Sequence, residues 1–198
     1  MRTEKVITCL VVIAMLFKYV LHWPGASILL ILSLMSLSGL YFPLAFYFFS
    51  DKNIKTQNLA LSIVAGMFWA VIPVGVLFTH MYWPGASAQL FVGVVTAPVI
   101  LAIVYFLKNK SSVELATYYK NMLWRGWVLT AFGLLIYLTP MATLINIQYG
   151  KDPELARLKT LSYSNPNNDV YAKQLEDYEA KKDSVYRDGV MKEIHQNK

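Results

Sequence analysis

Five apolar runs separated by short polar segments constrain this chain more than any other feature of its sequence. They cover residues 6–21, 26–49, 59–78, 86–107 and 126–147. The last four contain no Asp, Glu, Lys or Arg, and each has about the 20 residues that a helix needs to cross a hydrocarbon core of about 30 Å. Backbone polar groups in lipid must be satisfied within their own segment, which favours helix. The sequence therefore predicts an all-α, polytopic transmembrane bundle of about five helices, arranged as two tandem helical hairpins plus one.

The charged residues divide the chain near residue 148. Only 15% of the 198 residues are charged, against about 25% in a typical soluble domain. Residues 1–150 hold nine bases and three acids, whereas residues 151–198 hold nine of each. We therefore expect a transmembrane bundle over 1–148 and a polar helical tail over 149–198.

Lysine and arginine also predict the orientation of the bundle. If the helices alternate in direction, eight cations lie on one side, while the turns 22–26 and 79–85 on the other side carry none. The positive-inside rule then places the N-terminus in the cytoplasm and the tail in the periplasm. The sequence pI of 9.3 does not make nucleic acid an expected partner, because the cations flank apolar runs that predict contact with the lipid bilayer. The eight cations are Arg2, Lys5, Lys52, Lys55, Lys108, Lys110, Lys120 and Arg125.

The first apolar run is short and follows two cations, as a secretory signal would. The residues after it, His22 to Gly25, lack a small-x-small cleavage site, so an uncleaved anchor is expected. The single cysteine, Cys9, excludes an intrachain disulfide.

Cap and proline patterns predict the remaining elements. Ser111-x-x-Glu114 has the form of a capping box and predicts a short interfacial helix before the run 126–147. Asp152-Pro153 predicts the start of a tail helix over 154–162. A second tail helix is expected over 169–194, where it would pack on a partner or on the chain's own outer turns. Prolines inside the apolar runs predict kinks; they are Pro43, Pro73, Pro98 and Pro140.

One pentapeptide, Trp-Pro-Gly-Ala-Ser, occurs twice, 60 residues apart. Each copy joins two apolar runs, which indicates a duplicated helical hairpin. Trp favours the membrane interface, and Pro-Gly reverses the chain. The repeat therefore predicts a tight hairpin turn; its members are Trp23, Pro24, Gly25, Ala26 and Ser27 in one copy and Trp83, Pro84, Gly85, Ala86 and Ser87 in the other.

Three ionisable residues near these turns are the candidate functional residues. Lys18 is the one charge inside the apolar runs; it either extends its ammonium to the interface or serves a function in the membrane. His22 and His80 are expected at comparable depths in the two repeats, where they could ligate haem or a metal or relay protons. No further metal ligands accompany them, so we expect no metal and no cofactor.

The residues from Lys18 to Ala26, with His22, Trp23, Pro24 and Gly25 between, resemble the GldL family. Those proteins are inner-membrane subunits of the gliding-motility and type IX secretion motor of Bacteroidota. The resemblance implies a Bacteroidota inner-membrane protein, and implies that Lys18 and His22 belong to a proton-driven device. The family has a glutamate in its second transmembrane helix, whereas residues 26–49 contain no acid.

The sequence favours a non-enzymatic function and contains no catalytic signature. The expected absence of buried acids, the short connections and the polar tail indicate a multi-span subunit that scaffolds or stabilises a larger bacterial inner-membrane complex with other integral membrane proteins. A proton- or ion-coupled motor or transport component, with Lys18 and His22 as the relay, is the alternative. A membrane enzyme or redox subunit that uses His22 and His80 is a third hypothesis.

Overall fold

The computed structural model describes residues 2–23, 25–42 and 58–196, and these residues form helices without any strand. The predicted all-α bundle is confirmed. The helices in the described part of the chain are α1 (Arg2–Tyr19), α2 (Ala26–Tyr41), α3 (Leu59–His80), α4 (Ala86–Asn109), α5 (Val113–Leu138), α6 (Met141–Tyr149), α7 (Pro153–Ser164) and α8 (Asp169–Gln196). Pro24, Pro43 and the end of the predicted run 26–49 lie outside the described residues.

The chain is a membrane protein. Three helical segments among the described residues are long and apolar enough to span a membrane: α3, α4 and the part of α5 from Leu115 to Leu138. Their mean hydropathies are 2.2, 2.6 and 1.2. The helix α2 is apolar but shorter over its described length.

The helices belong to two compact units, Met1–Thr139 and Pro140–Lys198. In the first unit, α3 packs against α2, α4 and α5, and α1 packs against α2. The fully buried Trp69 of α3 lies against Gly126 of α5. A Cβ atom at Gly126 would lie 2.3 Å from the Trp69 ring, so glycine is required there for the two helices to approach.

The fifth helix differs from its predicted bounds of 126–147. In the structure it begins at Val113, so the predicted interfacial helix and the start of the predicted span form one helix, and it ends at Leu138. Pro140 has no backbone N–H and disfavours helical geometry in the residue before it. The apolar residues after it form the separate α6, which belongs to the second compact unit, Pro140–Lys198.

The second unit contains a helical hairpin of α7 and α8. Asp152 caps α7 by accepting a hydrogen bond from the backbone N–H of Leu155 at 3.1 Å. The Lys182 ammonium and the Tyr178 hydroxyl of α8 donate to the same carboxylate, at 2.7 and 2.9 Å. These bonds, above all the one from Lys182, hold the pKa of Asp152 below its usual value.

Candidate functional site

The described residues of the two copies of the repeated pentapeptide share part of their turn geometry. In each, the Trp backbone N–H donates to the carbonyl of a preceding Phe at 3.0 Å, from Trp23 to Phe17 and from Trp83 to Phe78. Each of these Trp and Phe rings also packs edge to face. The predicted hairpin turn is therefore present in both copies at one end of the first unit, which we call the turn end.

The residue before each Trp adopts the left-handed backbone conformation. The φ angles are 52° at His22 and 56° at Tyr82, although non-glycine residues seldom adopt positive φ. The copies differ at the glycine that precedes the next helix, where φ is −73° at Gly25 and 81° at Gly85. Only Gly85 therefore needs the conformational freedom of glycine.

Inside each turn, the two small residues start the next helix. The side chains of Ala26 and Ala86 are buried, while Ser87 is exposed and Ser27 is half-buried. The buried alanines let the second helix of each hairpin begin close to the first.

Counting within the two turns does not align His22 with His80. Phe17 and Trp23 are six positions apart, whereas Phe78 and Trp83 are five positions apart. Counted back from Trp, His22 corresponds to Tyr82. Counted forward from Phe, Tyr19 corresponds to His80. The two histidines therefore occupy different positions in their repeats.

Lys18 points into the protein instead of extending to its surface. Only 4% of the residue is exposed, so the expectation that its ammonium reaches the interface is wrong. The ammonium donates to the backbone carbonyl of His80. It also lies 5.9 Å from the ring centroid of Tyr19 and 5.7 Å from that of Tyr82, within the range of cation–π attraction.

His80 completes this group, which we call the Lys18 cluster: Lys18, Tyr19, His80 and Tyr82. The residue is 2% exposed, and its Nδ1 atom shares a hydrogen bond with the Tyr19 hydroxyl. Among the described residues, nothing hydrogen-bonds its Nε2 atom, and no carboxylate pairs with Lys18. The cluster therefore holds a buried amine whose contacts are a carbonyl and two aromatic rings.

His22 has different surroundings. It is half-buried, and its Nδ1 atom lies 3.2 Å from the carbonyl of Val20 in its own turn. The contacts of Lys18 are with the backbone carbonyl of His80 and with the rings of Tyr19 and Tyr82. Within the described residues, no group of three or more His, Cys, Asp or Glu side chains comes together.

A second polar group, the Glu4 cluster, lies where α1, α2 and α5 meet, away from the turn end. The Glu4 carboxylate accepts a hydrogen bond from the Tyr41 hydroxyl at 2.6 Å and pairs with Arg125 at 3.0 Å. Both charged side chains are largely buried, so the expectation that the bundle has no buried acid is wrong. Sequence reasoning missed the pair because its members are 121 positions apart and hydropathy does not show which cation faces which acid.

The Glu4 cluster forms the polar end of a cleft of about 470 Å³ between α1, α2 and α5. Most of the lining side chains are apolar, among them Val12 and Met15 of α1, Leu37 of α2, and Val128 and Phe132 of α5. Glu4, Thr8, Val11 and Met15 recur at the spacing of one helical face, and Lys18 is the next position of that series.

The fold and these two clusters define the class of protein, a helical membrane protein with a buried amine at one end of its bundle and a buried ion pair at the other. No protein-family model, curated protein or solved structure matches the chain.

Proposed function

We propose that this chain is a non-enzymatic, multi-span subunit that scaffolds or stabilises a larger complex of the bacterial inner membrane. The observation that carries the proposal is the length of α8, which has 28 residues against 12 in α7. At 1.5 Å per residue the two helices are about 42 and 18 Å long. More than half of α8 therefore has no counterpart in α7.

The contacts of the hairpin fix where α8 leaves α7. Tyr178 and Lys182 both bond Asp152, which lies directly before the first residue of α7. The residues after Lys182 therefore extend past the start of α7. Among them, Val185 is 65% exposed, and Tyr186 beside it is exposed as well.

A helix without packing partners has little stability of its own. Most helical stability in proteins comes from packing of an apolar face, and short isolated helices are marginal in water. The extension of α8 with its exposed Val185 and Tyr186 therefore fits a surface that another membrane protein of the complex covers. The cations that flank the apolar runs favour a cytoplasmic N-terminus and a periplasmic tail.

The proposal is tested by the size of the native assembly. The protein, extracted in mild detergent from cells that express it natively, should migrate as a complex much larger than one chain. Val185→Asp should release the monomer. Val170→Asp serves as the matched control, because Val170 is 61% exposed at the other end of α8. A monomeric wild-type protein, or equal effects of the two substitutions, would contradict the proposal.

A second candidate function, a proton- or ion-coupled component, is favoured by the Lys18 cluster. Burying an amine without a carboxylate costs free energy, and ionisable residues within membrane helices commonly serve transport. Lys18 donates to the backbone carbonyl of His80, and the His80 ring bonds the Tyr19 hydroxyl. The proposed relay therefore includes His80 and Tyr19 beside Lys18 and His22.

Proton flux into proteoliposomes tests the second candidate. Under this hypothesis, Lys18→Met abolishes the flux. Lys108→Met is the control and should leave the flux unchanged, since Lys108 is a half-buried lysine near the end of α4, outside the Lys18 cluster. A wild-type protein that shows no flux above protein-free vesicles removes the hypothesis.

A further inference from the structure

We propose that the cleft between α1, α2 and α5 binds one acyl chain of an anionic phospholipid, with the lipid headgroup beside Lys5 and Arg125. The proposal is independent of any partner protein. It rests on the volume of the cleft, its mouth, its charge and the aromatic residues around it.

The volume of the cleft suits a single hydrocarbon chain. The volume of about 470 Å³ lies within the range of about 300–1,000 Å³ of pockets that bury small ligands. The cleft therefore accommodates one acyl chain.

The mouth of the cleft faces the surroundings of the bundle. Val12 of α1 and Val128 of α5 line the cleft and are both exposed. In a membrane these side chains contact lipid, so a chain can enter from the bilayer. The apolar lining makes burial of that chain favourable, because each buried methylene contributes to binding.

Among the described residues, the charged side chains at the polar end of the cleft carry a net positive charge. They are two cations, Lys5 and Arg125, and one carboxylate, Glu4. The Glu4 carboxylate is already occupied by Arg125 and Tyr41, whereas the Lys5 side chain is exposed. This net charge attracts an anionic headgroup.

Aromatic residues place this end at the headgroup level. Trp124 and Trp127 flank Arg125 on α5, and both are exposed. Exposed Trp beside cations is typical of the membrane–water boundary. From there the lining of α1 runs through Thr8 and Val11 to Met15, so a chain anchored at Lys5 extends toward the turn end.

The test fills the cleft without changing its charge. Val128→Trp places an indole in the mouth. Val95→Trp is the matched control, since Val95 of α4 is 49% exposed against 46% for Val128 and does not line the cleft. Native mass spectrometry of the detergent-purified protein, titrated with palmitoyl-oleoyl-phosphatidylglycerol, measures the affinity for the most tightly bound lipid molecule. We expect Val128→Trp to weaken it at least ten-fold and Val95→Trp to change it less than two-fold. Val12→Trp, on the other wall, should repeat the Val128→Trp result.

The headgroup is tested separately. Lys5→Gln should reduce the preference for phosphatidylglycerol over phosphatidylcholine about five-fold, as expected for the loss of one cation near the headgroup. Unchanged lipid affinity in both Val128→Trp and Val12→Trp would overturn the proposal. A different outcome would also overturn it: the wild-type protein retains no lipid but forms a dimer, and either substitution dissociates that dimer. The cleft would then be a contact between two copies of the chain. Equal binding of the two lipids by the wild-type protein would overturn the assignment of an anionic headgroup.

Discussion

The two ends of the membrane bundle accommodate buried charge in opposite ways. In the Glu4 cluster, one carboxylate meets a guanidinium and a hydroxyl, so its charge is paired and each of its oxygens has a partner. In the Lys18 cluster, the amine meets a carbonyl and two aromatic rings, and no carboxylate among the described residues pairs with it. The Glu4 cluster therefore joins α1 to α2 and α5 through a paired charge, whereas the described residues give Lys18 no ion pair that would join helices.

The largest expected effect is at Glu4. Glu4→Ala leaves Arg125 largely buried without its partner, which costs about 3 kcal/mol of the free energy of unfolding. Reversible unfolding in sodium dodecyl sulfate, followed by circular dichroism, measures this cost. The double variant Glu4→Ala/Arg125→Leu should lose at least 1 kcal/mol less than the sum of the two single variants. Additive losses would show that the pair does not couple α1 to α5.

A smaller effect is expected at Tyr19 in the Lys18 cluster. Tyr19→Phe removes the hydroxyl that bonds the buried Nδ1 atom of His80 and should cost about 1.5 kcal/mol in the same unfolding measurement. Tyr105→Phe, which removes an exposed hydroxyl from α4, should stay within about 0.5 kcal/mol of the wild-type protein. Equal effects of the two substitutions would mean that the bond to His80 adds no stability.

Substitutions at the glycines of the two turns compare their backbone requirements. Gly85→Ala forces an L residue into positive φ and should cost about 1 kcal/mol. Gly25→Ala keeps negative φ and brings the new methyl group against the exposed Trp23 ring, which can move, so we expect a loss below about 0.5 kcal/mol. The reverse order in thermal unfolding would contradict the difference between the turns.

The smallest effect concerns the solvent-exposed ion pair of the second unit. The pKa of Asp152 lies below its usual value because Lys182 and the Leu155 N–H bond the charged form. Its contribution to stability is therefore complete above about pH 4, the value for an unperturbed Asp, and is lost as pH falls through the lowered pKa. With spin labels on exposed positions of α7 and α8, the distribution of distances between the labels should broaden on acidification.

A control variant separates this carboxylate from its neighbour. Glu154 pairs with Arg157 on one exposed face of α7, and the hydrogen bond from Arg157 lowers its pKa as well. Asp152→Asn should remove more of the acid dependence than Glu154→Gln does, because Asp152 joins α7 to α8. If the two variants behave alike, the interhelical bonds of Asp152 do not hold the hairpin together.

Hydropathy predicted the helices well and predicted side-chain partners poorly. The runs 59–78 and 86–107 became α3 and α4 with ends shifted by no more than two residues. The end of the fifth helix was missed because apolar residues continue past Pro140 to Ile147, and hydropathy does not respond to the loss of one backbone donor.

The sequence was likewise informative about which residues are unusual and uninformative about their partners. Lys18 was recognised because a charge in an apolar run is rare, but its burial depends on the face that α1 turns toward the bundle, which a weakly amphipathic helix does not reveal. The partnership of Glu4 with Arg125 was missed for a related reason, because it depends on how helices distant in the sequence pack together.

Lys18→Met tests most directly whether the buried charge of the Lys18 cluster, unlike that of the Glu4 cluster, adds nothing to the free energy of unfolding. Methionine keeps an unbranched side chain of similar size and removes the charge. Replacing a buried charge by a well-packed apolar residue is often neutral or stabilising. Reversible unfolding in sodium dodecyl sulfate should therefore show Lys18→Met to be as stable as the wild-type protein or more stable, while Glu4→Ala loses about 3 kcal/mol. A loss of about 3 kcal/mol or more in Lys18→Met would contradict this account, because Lys18 would then hold the bundle together as Glu4 does.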